Sequence, residues 1–208
     1  KRGAQIVMFS RSKNEMENLR NRMHNSFKHI SIKVDFLDNK SLNKAFKKAI
    51  DFLKKIDIII HVAGGGFGLK DPLLKNDDLR TLLQVNFVAA AELNRLAVKT
   101  KKKDGDLRLI HVGSITSSEA VGSVGYNVAK AALASYVKSL GRELYKKKKV
   151  VTGILPGGFI SPGNSMDRLK KKNIKDYRKF IKTRLPRKKM GEVEEILPML
   201  LFLCSKHA

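Results

Sequence analysis

The chain has 208 residues, 42% of them hydrophobic, which is enough for one domain with a real core, and no composition break argues for two. Its single cysteine, Cys204, excludes an internal disulfide and suits a reducing compartment, the cytoplasm. No apolar run approaches the roughly 20 residues of a membrane span, and Lys1-Arg2-Gly3-Ala4-Gln5 is not followed by the apolar segment and cleavage site of a secretory signal.

The net charge of +24 suits an anionic partner: nucleic acid, an acidic carrier protein or a phosphorylated ligand. The cations are spread out, however, over Lys44/Lys47/Lys48 and residues 101–103, 146–149, 170–172 and 187–189. No aromatic residues interleave with them and no nucleic-acid motif is present, so they read first as solvated faces of an ordinary domain.

Residues 5–9 form a short buried strand, followed by Ser10-Arg11-Ser12. An amphipathic helix runs over about 14–23, and residues 31–36 alternate as a strand. Ser41 caps the next helix, with Leu42, Ala45, Phe46, Ala49, Ile50 and Leu53 as its apolar stripe. Residues 57–62 are nearly continuously apolar, as in a parallel strand covered on both faces, and Ala63-Gly64-Gly65-Gly66-Phe67-Gly68 ends it. A long helix covers about 77–99, a strand 107–112, a helix 126–145 and a strand 150–154. Residues 161–189 are irregular, polar and basic, and read as a substrate lid with one or two short helices. A final helix spans 192–203, where Pro198 should bend it or end its first part. Strands alternating with helices predict a single α/β domain, 1–208, with a doubly wound parallel sheet. No Cys/His/Asp cluster has zinc spacing, so no metal site is expected. His61 and His111 read as satisfied strand-end histidines, not as bases or ligands.

One stretch carries chemistry: Gly125-Tyr126-Asn127-Val128-Ala129-Lys130. A spacing of four on a helix puts the phenol and the ammonium on one face. A tyrosine pKa is ordinarily about 10, and a nearby ammonium lowers it, making the phenol an acid–base group for an alcohol or carbonyl oxygen. The pair alone is weak, because in so basic a chain some Tyr meets a cation four places on with a chance of about 0.6. Tyr145…Lys149 is such a second match, in a charge run with no chemistry around it. Context favours the first. Ser114 lies twelve residues upstream, at the end of an apolar strand; Asn86 sits inside the long helix; Pro156-Gly157 follows another strand.

Asn, Ser, Tyr and Lys in this order resemble the short-chain dehydrogenase/reductase family, classical type, over about residues 3–203, as do the Ala63-Gly64 and Pro156-Gly157 turns. The resemblance implies a Rossmann-like sheet. The family's opening strand and glycine-rich turn, which seat the dinucleotide pyrophosphate on a helix N-terminus, have no counterpart ahead of Gly3, and its last strand has none after Leu203. The absent first strand would lie between the strand at Ile6 and the strand at Ile58. Its absence would leave core backbone groups unpaired at about 1–3 kcal/mol each. The chain is therefore expected to be an internal part of a longer one.

The resemblance makes Tyr126 the acid–base residue and Lys130 the group that lowers its pKa and holds the nicotinamide ribose. Ser114 would hold the substrate oxygen. The loop is one residue short for the family, so Ser117 and Ser118 are rivals. Asn86 would kink its helix and hold a water leading to the lysine. For the cofactor, a carboxylate at the end of the first strand would favour NAD; Ser10-Arg11 instead suits the 2′-phosphate of NADP, with NAD the less favoured alternative. Asp35 and Phe36 match the family's adenine contacts, Ala63 and Gly64 its ribose approach, and Pro156, Gly157, Ile160 and Ser161 its carboxamide contacts. His61-Val62 departs from the family's pair of asparagines.

The expected protein is an NADP-dependent oxidoreductase acting between a carbonyl and a secondary alcohol. Lys170–Lys172, Arg184 and Arg187 suggest an acidic or carrier-bound substrate. A homodimer or homotetramer through the long helices is expected. Two alternatives remain: a non-catalytic homologue that binds dinucleotide as sensor or scaffold, and a basic nucleic-acid-binding protein.

Overall fold

The computed structural model describes residues 3–100 and 106–208; the run at 101–103 falls outside them. Strand β1 (Ile6–Ser10) leads to α1 (Lys13–Asn21), whose N-cap Ser12 accepts from the Glu15 amide. Strand β2 (His29–Lys33) follows and pairs parallel with β1, Ile6 opposite His29 and Ser10 opposite Lys33. It starts two residues earlier than the alternation predicts. The buried His29 ring explains this: Nδ1 accepts from the Ile6 amide at 3.2 Å and Nε2 donates to the His24 carbonyl at 3.2 Å. Asp35 and Phe36 lie beyond the strand, in a turn that Asp35 itself closes by accepting from the Leu37 amide at 2.9 Å.

Helix α2 (Asn39–Leu53) is capped by Asp38, not by Ser41. Ser41 instead accepts from the Asp35 amide at 3.0 Å, which ties the turn to the helix. Strand β3 (Ile58–His61) comes next. The long helix after it is three pieces: α3 (Asn76–Leu83), a π-turn over Gln84–Val88, and α4 (Ala89–Thr100). Strand β4 (Leu107–Val112), helix α5 (Val124–Leu144) and strand β5 (Lys149–Ile154) complete a three-stranded parallel sheet in the order β3-β4-β5. Two short strands unseen in the sequence, β6 (Phe159–Ile160) and β7 (Gly191–Glu192), pair parallel and bracket α6 (Ser165–Lys172) and α7 (Ile174–Arg184) of the expected lid. In α8 (Leu197–Leu203) Pro198 sits in the first turn, where its missing N–H is harmless, so it begins a helix rather than bending one. A 3₁₀ turn over Val193–Ile196 precedes it.

The α/β architecture is as expected, and the sheet is in two pieces. Among the described residues no strand pairs with the outer edge of β1 or of β3, and Ile58 and Ile60 of β3 are 40% and 44% exposed. This is the gap that the family resemblance implies between the two. The pieces are held together by one apolar cluster in which Val34, Leu42, Phe46, Ile56, Leu93, Leu107 and Leu109 are buried, with Phe9 of β1 and Ile59 of β3 packed against it. Tyr145 is 80% exposed as expected for the decoy pair, but Lys149 is buried, so that lysine is no part of a solvated run.

Candidate active site

Three strand ends and one helix start converge. At the end of β4, Ser114 enters a short 3₁₀ turn, its hydroxyl accepting from the Thr116 amide at 3.2 Å. That turn is stitched to the end of β5: the Gly113 amide donates to Ile154 at 2.8 Å and the Ile115 amide to Pro156 at 3.1 Å. The Pro156-Gly157 turn therefore lies beside Ser114. Helix α5 starts two residues earlier than predicted, which puts Tyr126 in its first turn. Its start packs tightly because residue 125 is glycine; a Cβ there would overlap the Leu74 and Leu82 side chains. Ser114 hydrogen-bonds the Tyr126 phenol, so the short loop still presents Ser114; Ser118 turns back to the Ile115 carbonyl.

Lys130 is 3% exposed, donates to the Val112 carbonyl at 3.2 Å and lies 5.8 Å from the centre of the Tyr126 ring. Burial brings its pKa down to about 8. Tyr126 departs from expectation. Burial pushes its pKa up, the Ser114 hydrogen bond offsets part of that, and Lys130 contributes no resolved lowering. The Lys130 ammonium itself is engaged by the Val112 carbonyl of β4.

Asn86, in the π-turn, is buried and triply bonded. Its Oδ1 accepts from the Gly65 amide and its Nδ2 donates to the Gly65 and Leu82 carbonyls, all at 2.9 Å. A mid-helix amide that back-bonds one turn opens the regular ladder, which accounts for the π-turn. It also clamps the loop after β3. A Cβ on Gly64 would come 2.6 Å from Asn86 Oδ1 and 3.3 Å from Lys130 Nζ, and one on Gly66 would touch Tyr126.

The expected cofactor residues fall into two groups. Ala63, Gly64, Pro156 and Gly157 sit with Ser114, Tyr126 and Lys130. Ser10, Arg11, Asp35 and Phe36 lie past the ends of β1 and β2. Two contacts link the groups: the Arg11 guanidinium packs 5.8 Å over the Phe67 ring of the glycine-rich loop, and Gln84 of the π-turn donates to the Phe36 carbonyl at 3.1 Å. Ser10 accepts from the Ser12 amide at 3.3 Å. Ile160 belongs to β6, and the Ser161 carbonyl accepts from Asn164, which caps α6.

Sequence reasoning missed Asn94 and Tyr136 and undervalued the histidines. His61 is satisfied, its Nε2 lying 2.7 Å from Asn94 Oδ1. His111 is only half so: Nε2 is 3.2 Å from Asn94 Nδ2, and Nδ1 is buried without a partner. The available signal was two histidines at equivalent ends of neighbouring strands and an Asn inside an apolar helix. Among the described residues no carboxylate, His and Cys group could hold a metal ion, and no helix is long and apolar enough to cross a membrane.

A β-α sheet with Asn, Ser, Tyr and Lys gathered at its strand ends defines a class. The chain belongs to the short-chain dehydrogenase/reductase family of oxidoreductases, and the family model described as enoyl-(acyl carrier protein) reductase matches residues 1–208. It is 29% identical over 181 residues to the 3-oxoacyl-[acyl-carrier-protein] reductase FabG of Aquifex aeolicus, covering 85% of this chain and 69% of that protein. The 7alpha-hydroxysteroid dehydrogenase of Escherichia coli is 26% identical over 177 residues, covering 85% and 67%. Among solved structures, the L-sorbose reductase of Gluconobacter frateurii, complexed with NADPH and L-sorbose, superposes with a TM-score of 0.88 at 24% identity, over 100% of this chain and 82% of that one.

Proposed function

We propose that this chain is an NADP-dependent oxidoreductase that exchanges a hydride between nicotinamide and a carbonyl or secondary alcohol, with Tyr126 moving the oxygen's proton. The convergence of Ser114, Tyr126 and Lys130 beside a bare glycine turn carries the reading. The turn suits a dinucleotide: Gly64 packs against Asn86 and Lys130 with no room for a side chain, while the space beside Gly65 and Gly68 is open to a ligand. When bound, the cofactor supplies or takes the hydride.

The chain's own residues do the rest. Ser114 donates its one hydroxyl proton to the substrate oxygen. Tyr126 gives or takes the proton. Lys130, Pro156, Gly157, Ile160 and Ser161 hold the nicotinamide half; Asp35 and Phe36 hold the adenine. Stacking on Phe67 orients Arg11, whose planar fork suits a 2′-phosphate better than ribose hydroxyls. Residues 161–189 form the lid of the single domain. Its helices are basic, although Lys171 is paired with Asp167 and Arg187 with Glu195. An acidic or carrier-bound substrate fits this lid, as the name of the Aquifex relative does. Val124 and Val128, half exposed on α5, suit a homodimer or homotetramer.

The alternative reading is a non-catalytic dinucleotide sensor. NADPH and NADH oxidation measured against 3-oxoacyl thioesters and simple ketones, with Tyr126→Phe as control, separates the two. Tight NADPH binding without turnover would establish the sensor.

A further inference from the structure

Beneath the site lies a polar cluster in an otherwise apolar layer: His61, Asn94, His111 and Tyr136. Asn94 and His111 are each 1% exposed. The two imidazoles stack with centroids 4.5 Å apart at 20°, and Tyr136 meets His111 edge-on at 6.2 Å. The hydrogen bonds can be assigned completely around Asn94. Its Oδ1 only accepts, so His61 Nε2 carries a proton. Its Nδ2 only donates, giving one N–H to His111 Nε2 and the other to the Tyr136 oxygen at 3.2 Å each. His111 Nε2 is therefore bare and its proton is on Nδ1. One amide dictates opposite tautomers in two stacked rings.

The placement matters more than the bonds. His61 ends β3, which delivers the Gly64 turn. His111 lies in β4, three residues before Ser114 and next to Val112, the Lys130 anchor. Asn94 lies in α4, beyond Asn86, and Tyr136 lies in α5, which carries Tyr126 and Lys130. Each of the four elements gives one member to the cluster and either carries site residues, as α5 does, or adjoins the segment that does: the Gly64 turn after β3, the Ser114 turn after β4 and the Asn86 π-turn before α4. Because β3 has no strand on its outer side among the described residues, the link from His61 through Asn94 is a side-chain tie for that strand end.

We propose that Asn94 is a positioning residue of the active site: by setting the tautomers of His61 and His111 it locks the four elements in the arrangement where Gly64, Asn86, Ser114, Tyr126 and Lys130 meet. This rests on the reading of those residues as the reaction site. Long-range ¹H–¹⁵N NMR of the full chain at neutral pH reads the tautomers directly, with His61 as Nε2–H and His111 as Nδ1–H. Asn94→Asp keeps the acceptor for His61 and removes both donors, so His111 alone should move to Nε2–H. Asn94→Leu should free both rings and lower kcat by about 10- to 100-fold, with little change in cofactor Kd. Like tautomers in the wild-type chain, or an Asn94→Asp chain with His111 unchanged, would overturn the proposal, and both readings stand if Asn94→Leu fails to fold. Asn94→Leu with unaltered kcat would overturn it as well. A wild-type chain with the expected tautomers and no turnover would refute the proposed reaction and leave the locked arrangement standing.

Discussion

Lys130 directs its ammonium to the Val112 carbonyl, 3.2 Å away, while the centre of the Tyr126 ring lies 5.8 Å off. The cation is thus held by the strand that presents Ser114, and the phenol is tuned by burial and by Ser114.

Burial of that ammonium costs stability. With a folded pKa of about 8 against 10.5, the unfolded chain binds more protons between those values, so this group makes stability rise with pH across that window. Lys130→Met should unfold at an equal or higher temperature at pH 7, and should lose the part of the wild-type rise between pH 8 and 10.5 that Lys130 contributes. Thermal melts of both proteins across the window check this, and an unchanged slope would contradict the burial argument. Turnover in the variant should be abolished.

Tyr126→Phe removes the proton donor but little packing. A loss of kcat of about 10²- to 10⁴-fold is expected, with stability changed by less than about 1 kcal/mol. Stopped-flow single-turnover kinetics and denaturant titration measure the two separately.

The stacked histidines make the fold acid-sensitive. Burial holds His61 at about 4 and His111 at about 3, against 6.5 when unfolded. Below 6.5 the unfolded chain binds more protons, so stability falls as pH drops from 6.5 toward 4 and 3. Each ring contributes at most about 1.4 kcal/mol per pH unit. A chain with both replaced by Asn should show a shallower acid decline in urea titrations, whatever its absolute stability.

Gly64→Ala tests the clamp on the loop. The new Cβ would press on Asn86 Oδ1 and Lys130 Nζ, neither of which can move without giving up a hydrogen bond. Overpacking of this kind costs about 1–3 kcal/mol. Activity should fall further than that stability loss alone implies, because both displaced groups belong to the site. Matched melts and kcat/KM values decide.

Arg11→Glu should exchange cofactor preference. A carboxylate repels a 2′-phosphate and accepts from ribose hydroxyls, so the ratio of kcat/KM for NADPH over NADH should fall by at least about tenfold. An unchanged ratio would place the phosphate elsewhere.

Some of this was written in local pattern. Helix spacing put Tyr126 beside Lys130, but it did the same for Tyr145 and Lys149, and only the order of Asn86, Ser114, Tyr126 and Lys130 along the chain singled out the first pair. The strand-helix alternation follows from periodicity, whereas the gap between β1 and β3 came only from the family resemblance. Capping by Asp38 rather than Ser41, the early start of β2 at His29 and the helix begun by Pro198 depended on which neighbour reached a backbone group first.

The sequence by itself determined which chemical groups this protein carries and the order of the elements that hold them, since both depend on near neighbours in the chain. Only the tertiary structure decided their electrostatics. Burial, not proximity in sequence, raises the phenol of Tyr126 and lowers Lys130, and a shared amide at Asn94 joins two histidines fifty residues apart. Desolvation and hydrogen-bond partnership arise between distant segments, so no local pattern encodes them.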